Sequence, residues 1–456
     1  MFGKSKGKYE IDMCNGPILG KMLMFAVPLM FSSILQLLFN AADIVVVGKW
    51  AGDDSLAAVG STSSLINLLT NLFIGLSIGA NVLVARYYGA KQDKELNATI
   101  HTSMLLSLIS GVILTVIGVF GAHKILALMQ TPEDVLPLAT IYIRIYFLGM
   151  TSTMIYNFGS AILRAVGDTK RPLYYLLLAG VVNVVLNLIF VIVFSMGVAG
   201  VATATAISQT ISAVLVVRCL IKDKGSIHLE LKELRIEKDK FIRILQIGLP
   251  AGFQGILFSL SNVFIQSSVN SFGKVVVAGN SAASNIEGFV YVAMNAFYQA
   301  AISFMGQNVG AGKYERINKI LITAEACVAV IGIVLGNMVF IFGEPLLGIY
   351  SDTSDVVAAG LVRLSIISTT YALCGMMDTM VGALRGLGYS IMPMIVSLLG
   401  ACAFRLVWLA TIFQMDRFHT IEMVYISYPV SWTLTFTTHL ICFIIVRKKL
   451  AKKWGR

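Results

Sequence analysis

Residues 163–172, LRAVGDTKRP, return as residues 384–393, LRGLGYSIMP, so that Leu163, Arg164, Gly167 and Pro172 recur as Leu384, Arg385, Gly388 and Pro393. The interval is 221 residues, and at that interval Gly89, Ala90 and Asn97 fall on Gly310, Ala311 and Asn318. Pro28 and Asn40 fall on Pro250 and Asn262 at 222, one residue having been gained. Separated matches at nearly one spacing indicate two copies of a single unit. In a membrane protein, such a duplication points to a transporter with its pathway between the copies.

The bulk chemistry agrees with a membrane protein. The chain of 456 residues is 57% hydrophobic and only 13% charged, with a mean hydropathy of +0.81. Soluble domains carry about a quarter charged residues. Apolar runs long enough to cross a bilayer recur along the whole length, at roughly 19–47, 56–84, 98–120, 136–159, 174–195, 199–219, 245–270, 276–303, 319–341, 357–381, 390–413 and 422–446. Twelve spans put an even six in each copy. Both copies then enter from the same side, which makes the repeat parallel. The expected fold class is therefore an all-α integral membrane protein of twelve transmembrane helices in two six-helix lobes. Residues 1–221 form the first lobe, 222–241 a cytoplasmic linker of mixed charge, and 242–456 the second lobe.

The net charge of +11 could suggest nucleic acid, but the basic residues are spread over one side of the predicted topology. With the N-terminus inside, 28 of the 35 Lys and Arg lie in inner segments: Lys4, Lys6, Lys8 and Lys21; Arg86, Lys91 and Lys94; Arg164, Lys170 and Arg171; the linker from Arg218 to Arg243; Lys313, Arg316 and Lys319; Arg385; and Arg447 to Arg456. Only Lys49, Lys124, Lys274 and Arg417 face out. This bias orients the chain with both termini cytoplasmic and excludes a nucleic-acid partner. The six cysteines show no metal-ligand spacing, and the polar N-terminus lacks the form of a cleaved signal peptide.

A carboxylate inside a span costs about 2.5–3.5 kcal/mol and so calls for a purpose. Asp43 stands two turns inside the outer end of the first span, with Asn40 and Gln36 below it on one helical face. Asn183 and Asn187, one turn apart on span five, and Thr205 on span six reach the same depth. Together Asp43, Asn183, Asn187, Thr205, Asn40 and Gln36 form a candidate ion-binding set, with a proton or Na⁺ at Asp43 and no other metal. Arg144 on span four is an alternative partner for Asp43. In the second half Glu287 is the deepest acid. It either pairs with Arg405, at matching depth, or faces cationic cargo. Tyr156, Phe158, Phe289, Tyr291, Met294 and Phe297 are candidate cleft-lining side chains suited to flat cations.

Further motifs carry a resemblance. They are P28…Q36-x-x-x-N40-x-x-D43-x-x-x-x-G48, LAAVG at 56–60, LRAVGDT at 163–169, N183-x-x-x-N187, GVAGVATA at 197–204, GNSAASNIE at 279–287 and FMGQNVGA at 304–311. In this order, in both halves, the chain resembles the multidrug and toxic compound extrusion (MATE) transporters over essentially its full length. The resemblance implies a V-shaped cleft between the lobes, ion-coupled alternating access, and antiport of organic cations against H⁺ or Na⁺. It places the protein in the bacterial inner (plasma) membrane, as a monomer with no bound cofactor. In relatives Asp is common at the position of Asn187; here the site keeps the dipole and loses a charge. Two other readings stand beside this one. A lipid-linked oligosaccharide flippase would need several arginines in the cleft. An integral membrane enzyme would need clustered acids or a nucleophile motif, of which only Asp53-Asp54 in a short loop is present.

Overall fold

The computed structural model describes residues 9–453. Lys4, Lys6, Lys8 and Arg456, counted above among the inner charges, lie outside the described residues. The described chain is helical almost throughout: α1 (Ile18–Trp50), α2 (Asp53–Gly89), α3 (Asp93–Leu128), α4 (Leu136–Leu148), α5 (Met150–Ala165), α6 (Lys170–Asn187), α7 (Gly197–Lys222), α8 (Lys238–Asn270), α9 (Lys274–Gly310), α10 (Ile317–Ile341), α11 (Gly343–Gly348), α12 (Ser354–Ile366), α13 (Ala372–Gly386), α14 (Ile391–Ser397), α15 (Phe404–Ala410) and α16 (Ile421–Lys453). Helix α6 continues as a π-turn over Leu188–Val193, and another, Leu398–Ala403, joins α14 to α15.

The predicted spans fall on helical segments, that at 357–381 on two of them, α12 and α13. Nine described helices are long and apolar enough to cross a membrane, and the pair α4 and α5, bent by 46°, makes a tenth. The predicted spans at 276–303 and 357–381 are the two that do not meet that test. Helix α9 is 37 residues long but carries Asn280, Glu287, Gln307 and Asn308, all buried. These buried polar groups lower the helix's apolarity. Helices α12 and α13 have only 13 and 15 residues and are separated by a turn at 367–371.

The chain divides into two compact units. One consists of Phe31–Phe253 with the segments up to Gly16 and at Gly306–Gly312; the other consists of Pro17–Met30, Gln254–Met305 and the rest from Lys313. The division cuts α1 just after Pro28 and α8 just after Pro250. The two prolines, matched by the repeat, each remove one backbone hydrogen bond where a helix passes from one unit to the other.

The motif that reveals the repeat has a local cause. Gly167 and Gly388 have φ of 93° and 95°, a region that only glycine enters freely. In the first copy the Asp168 amide donates to the Leu163 carbonyl (2.9 Å) and Gly167 to Arg164 (2.9 Å). In the second, Tyr389 donates to Leu384 (3.0 Å) and Gly388 to Arg385 (2.8 Å). Each L-R-x-x-G is thus the same Schellman stop, ending α5 and α13.

Packing repeats as well. A Cβ on Gly111 would lie 2.4 Å from the Thr151 Cα, and one on its counterpart Gly332 would lie 2.6 Å from the Ala372 Cα. Only glycine lets α3 approach α5, and α10 approach α13, that closely. Within the first unit the C-terminal ends of α2 and α9 cross. A Cβ on Gly89 would meet the Gln307 carbonyl oxygen at 2.1 Å, and one on Gly310 would meet the Arg86 carbonyl oxygen at 1.9 Å. Arg86 and Gln307 are themselves one repeat interval apart, so the contact is its own mirror under the repeat.

Candidate ion-coupling site

The first unit brings four of the expected residues together. The approach of α1 to α6 is set by Phe39, whose ring rests on Gly180; a Cβ there would lie 1.8 Å from the ring. Asp43 is one turn above Phe39, and Asn183 and Asn187 are one and two turns beyond Gly180. The Phe39–Gly180 contact therefore fixes the register at which the carboxylate meets the amides.

Asn187 is fully buried, and its Nδ2 donates to the Asp43 Oδ1 and, at 3.3 Å, to the Asn183 Oδ1. Asn183 Nδ2 donates in turn to the Thr205 Oγ1 at 3.4 Å. The Asn187 Oδ1 is buried with no hydrogen-bond partner. Asp43 forms no ion pair with a basic side chain among the described residues. Arg144 is exposed and donates instead to the Val119 carbonyl (3.1 Å), so the alternative Asp43–Arg144 pair is absent. Gln36 and Asn40 are exposed on α1, and the network closes without them. Sequence reasoning missed Tyr142 and Tyr146 on α4, which stand within electrostatic reach of Asp43. Their spacing of one turn was the available signal.

In the second unit Glu287 is not paired with Arg405. It is 2% exposed and bound by Arg363, through Nε to both carboxylate oxygens (3.2 Å each) and Nη2 to Oε2 (2.7 Å). Arg363 Nη1 donates to the Asn280 Oδ1 (2.8 Å), which also accepts from the Tyr425 hydroxyl (3.3 Å). The carboxylate is thus enclosed, with both oxygens taken by one guanidinium. Asp378, near the middle of α13, accepts from the Tyr291 hydroxyl at 3.1 Å.

Three of the expected cleft-lining side chains are core. Phe158 and Phe297 are fully buried and Met294 is 1% exposed, against Gly332 and Gly375. Tyr156 is buried and donates to the Pro172 carbonyl at 3.1 Å. Phe289 and Tyr291 remain half-buried. Among the described residues no three His, Cys, Asp or Glu side chains converge as metal ligands.

Comparison with known proteins agrees with this geometry. A family model described as MatE matches residues 28–189 and again 250–409, one match per copy. The chain is 27% identical to "Probable multidrug resistance protein YoeA" of Bacillus subtilis (strain 168), covering 91% of each protein. It is 29% identical to "Probable multidrug resistance protein YpnP" of the same organism, over 85% of this chain and 87% of that one. A solved structure described as an outward-facing conformation of a multidrug resistance MATE family transporter shares the fold, with a TM-score of 0.91 at 21% identity, covering 98% of this chain and all of that one. The chain belongs to the MatE family: it is a multi-pass membrane transporter for multidrug efflux, not an enzyme.

Proposed function

We propose that this protein is a secondary antiporter of the bacterial plasma membrane, acting as a single chain with both termini in the cytoplasm. It exports amphiphilic organic cations by alternating access in exchange for an external proton taken up at Asp43. The observation that carries the reading is a membrane-embedded carboxylate held by an amide donor, Asn187, with no ion pair to a basic side chain among the described residues. A charge that can be removed by a proton can alternate between two states; one locked to a guanidinium cannot. Antiport requires that ion and cargo each weaken the other's binding. Protonation removes the negative charge of Asp43, and with it an attraction for a cation in the same half of the protein.

A second reading, Na⁺ in place of the proton, has one specific support. The unpartnered Asn187 Oδ1 and the Asn183 and Thr205 oxygens lie beside Asp43 as hard neutral ligands. The experiment is efflux of a fluorescent organic cation from proteoliposomes under an imposed pH or Na⁺ gradient. For one-for-one exchange, each unit of pH supplies about 1.4 kcal/mol, or a tenfold cargo gradient. Wild-type protein is expected to accumulate dye against its gradient with acid on the outer side, and Asp43→Asn to lose this while reaching the membrane normally. Undiminished gradient-driven transport by Asp43→Asn removes the carboxylate from the mechanism. Dependence on a Na⁺ gradient at equal pH selects the second reading.

A further inference from the structure

Within the first unit, a short irregular segment lies across the C-terminal ends of α2, α5 and α9. Residues 9–16 precede α1 and have no regular structure, yet they are attached on every side. The Tyr88 hydroxyl at the end of α2 donates to the Glu10 Oε2 at 2.8 Å. On α9 the Asn308 side-chain amide donates to the Met13 carbonyl at 3.1 Å, and the Cys14 thiol donates to the Gln307 carbonyl at 3.6 Å. A Cβ on Gly167, in the turn that ends α5, would lie 2.7 Å from the Ile11 nitrogen, so the segment rests directly on that turn. Asp12 fixes its shape, accepting from the Cys14 backbone amide at 3.1 Å and from the Asn15 side-chain amide at 2.9 Å.

An ordered irregular segment needs contacts that offset its lost conformational entropy. Here they fall on helices of different copies, α2 of the first and α9 of the second, beside the crossing of Gly89 and Gly310. Three residue steps separate Glu10 from Met13, about 10 Å even at full extension. Helices α2 and α9 therefore cannot part widely while both attachments persist. The attachments are unequal. Met13 and Asn308 are fully buried, whereas Glu10 and Tyr88 are half-buried, where water can replace the bond that is lost.

We propose that residues 9–16 are a latch on the cytoplasmic side. They hold the α2–α9 crossing shut, and when that side opens to cargo they release α2 and stay on α9. The proposal rests on the alternating-access reading above and adds to it the segment that must let go.

Two measurements on the full chain test it, and neither uses an ion gradient. In the first, exchange of a fluorescent organic cation across proteoliposomes is followed at equal pH and equal Na⁺. The protein carries Glu10→Cys and Tyr88→Cys on a Cys14→Ser background, and the two new thiols are bridged by a short bifunctional methanethiosulfonate. The bridge is expected to slow exchange at least about tenfold, with full recovery on reduction. The same reagent on either single variant should leave the rate within about twofold. Exchange that continues undiminished through the bridge overturns the proposal, as does equal slowing by the reagent on one site alone. In the second, Tyr88→Phe removes only the bond to Glu10. Spin labels at Gln92→Cys and Glu315→Cys, exposed positions just beyond α2 and α9, report the separation of those ends by pulsed dipolar spectroscopy. Loss of a bond to a charged acceptor should raise the ratio of parted to closed molecules about tenfold. An unchanged distance distribution overturns the latch even if the bridged protein never reaches the membrane. A protein that exchanges freely when bridged yet answers to a gradient loses only this proposal. One that locks and unlocks but ignores both ion gradients loses only the antiport reading.

Discussion

The Glu287–Arg363 pair offers a stringent test of how the second unit is held together. Three hydrogen bonds join the two side chains, the shortest at 2.7 Å, and both residues are more than nine-tenths buried. At that separation and an effective dielectric of about 20, the Coulomb attraction is about 6 kcal/mol. Desolvation of two ions offsets much of it, so the pair adds little net stability compared with an apolar replacement. Breaking it is another matter. Glu287→Gln leaves a buried guanidinium without its counter-charge, and Arg363→Met leaves a buried carboxylate; each is expected to cost about 3–5 kcal/mol. The double variant orphans neither charge and loses chiefly the bond to Asn280, about 1–2 kcal/mol. The double loss should therefore fall short of the summed single losses by at least about 3 kcal/mol. Reversible unfolding of the purified protein in mixed micelles, titrated with dodecyl sulfate and followed by tryptophan fluorescence, measures all four corners of the cycle. Additive losses, or single variants that each lose less than about 1 kcal/mol, would refute the claim that this carboxylate is a structural partner and return Glu287 to the cargo pathway.

Other expectations follow from the same geometry. Gly180→Leu removes no polar atom but drives a side chain into the Phe39 ring, so Asp43 should lose its contact with Asn187; gradient-driven efflux should fall at least about tenfold, a barrier change of about 1.4 kcal/mol, with membrane levels preserved. Should efflux persist unchanged, the Phe39 seat does not set the register. Gly89→Ala and Gly310→Ala each press a Cβ against a backbone carbonyl and should each cost about 1–3 kcal/mol in unfolding measurements. Because either change already parts α2 from α9, the two together should cost clearly less than their sum; strict additivity would show that the crossing yields independently at its two ends.

Most of the architecture was legible because duplication and apolar length are one-dimensional signals. The pair of L-R-x-x-G stops could be read directly, since a positive φ leaves glycine as the near-obligate residue. Asp43 and the two asparagines were also legible, because helical spacing and depth from a span end place side chains well when the helices are continuous. The same counting failed for Glu287. Depth from the span ends put Arg405 level with Glu287. Depth alone does not say which helices are neighbours, and Arg363 on α12 is the residue that meets Glu287. Phe158, Met294 and Phe297 were misassigned for a different reason. On a membrane helix the faces toward lipid and toward protein are both apolar, so periodicity does not say which one an aromatic or thioether occupies.

The self-mirrored crossing of α2 and α9 is the form of contact that two identical chains make about a twofold axis. A half-length ancestor could have associated with its own twin through this seam, and fusion would have released each descendant to drift. The drift is visible in the charges. At the interval that pairs Asn40 with Asn262, Asp43 corresponds to Ile265, while at the main interval Glu287 and Arg363 correspond to Ile66 and Tyr142. The first copy holds Asp43 against an amide, and the second holds Glu287 against the guanidinium of Arg363. The two copies thus share one backbone frame while their interior charges have gone separate ways.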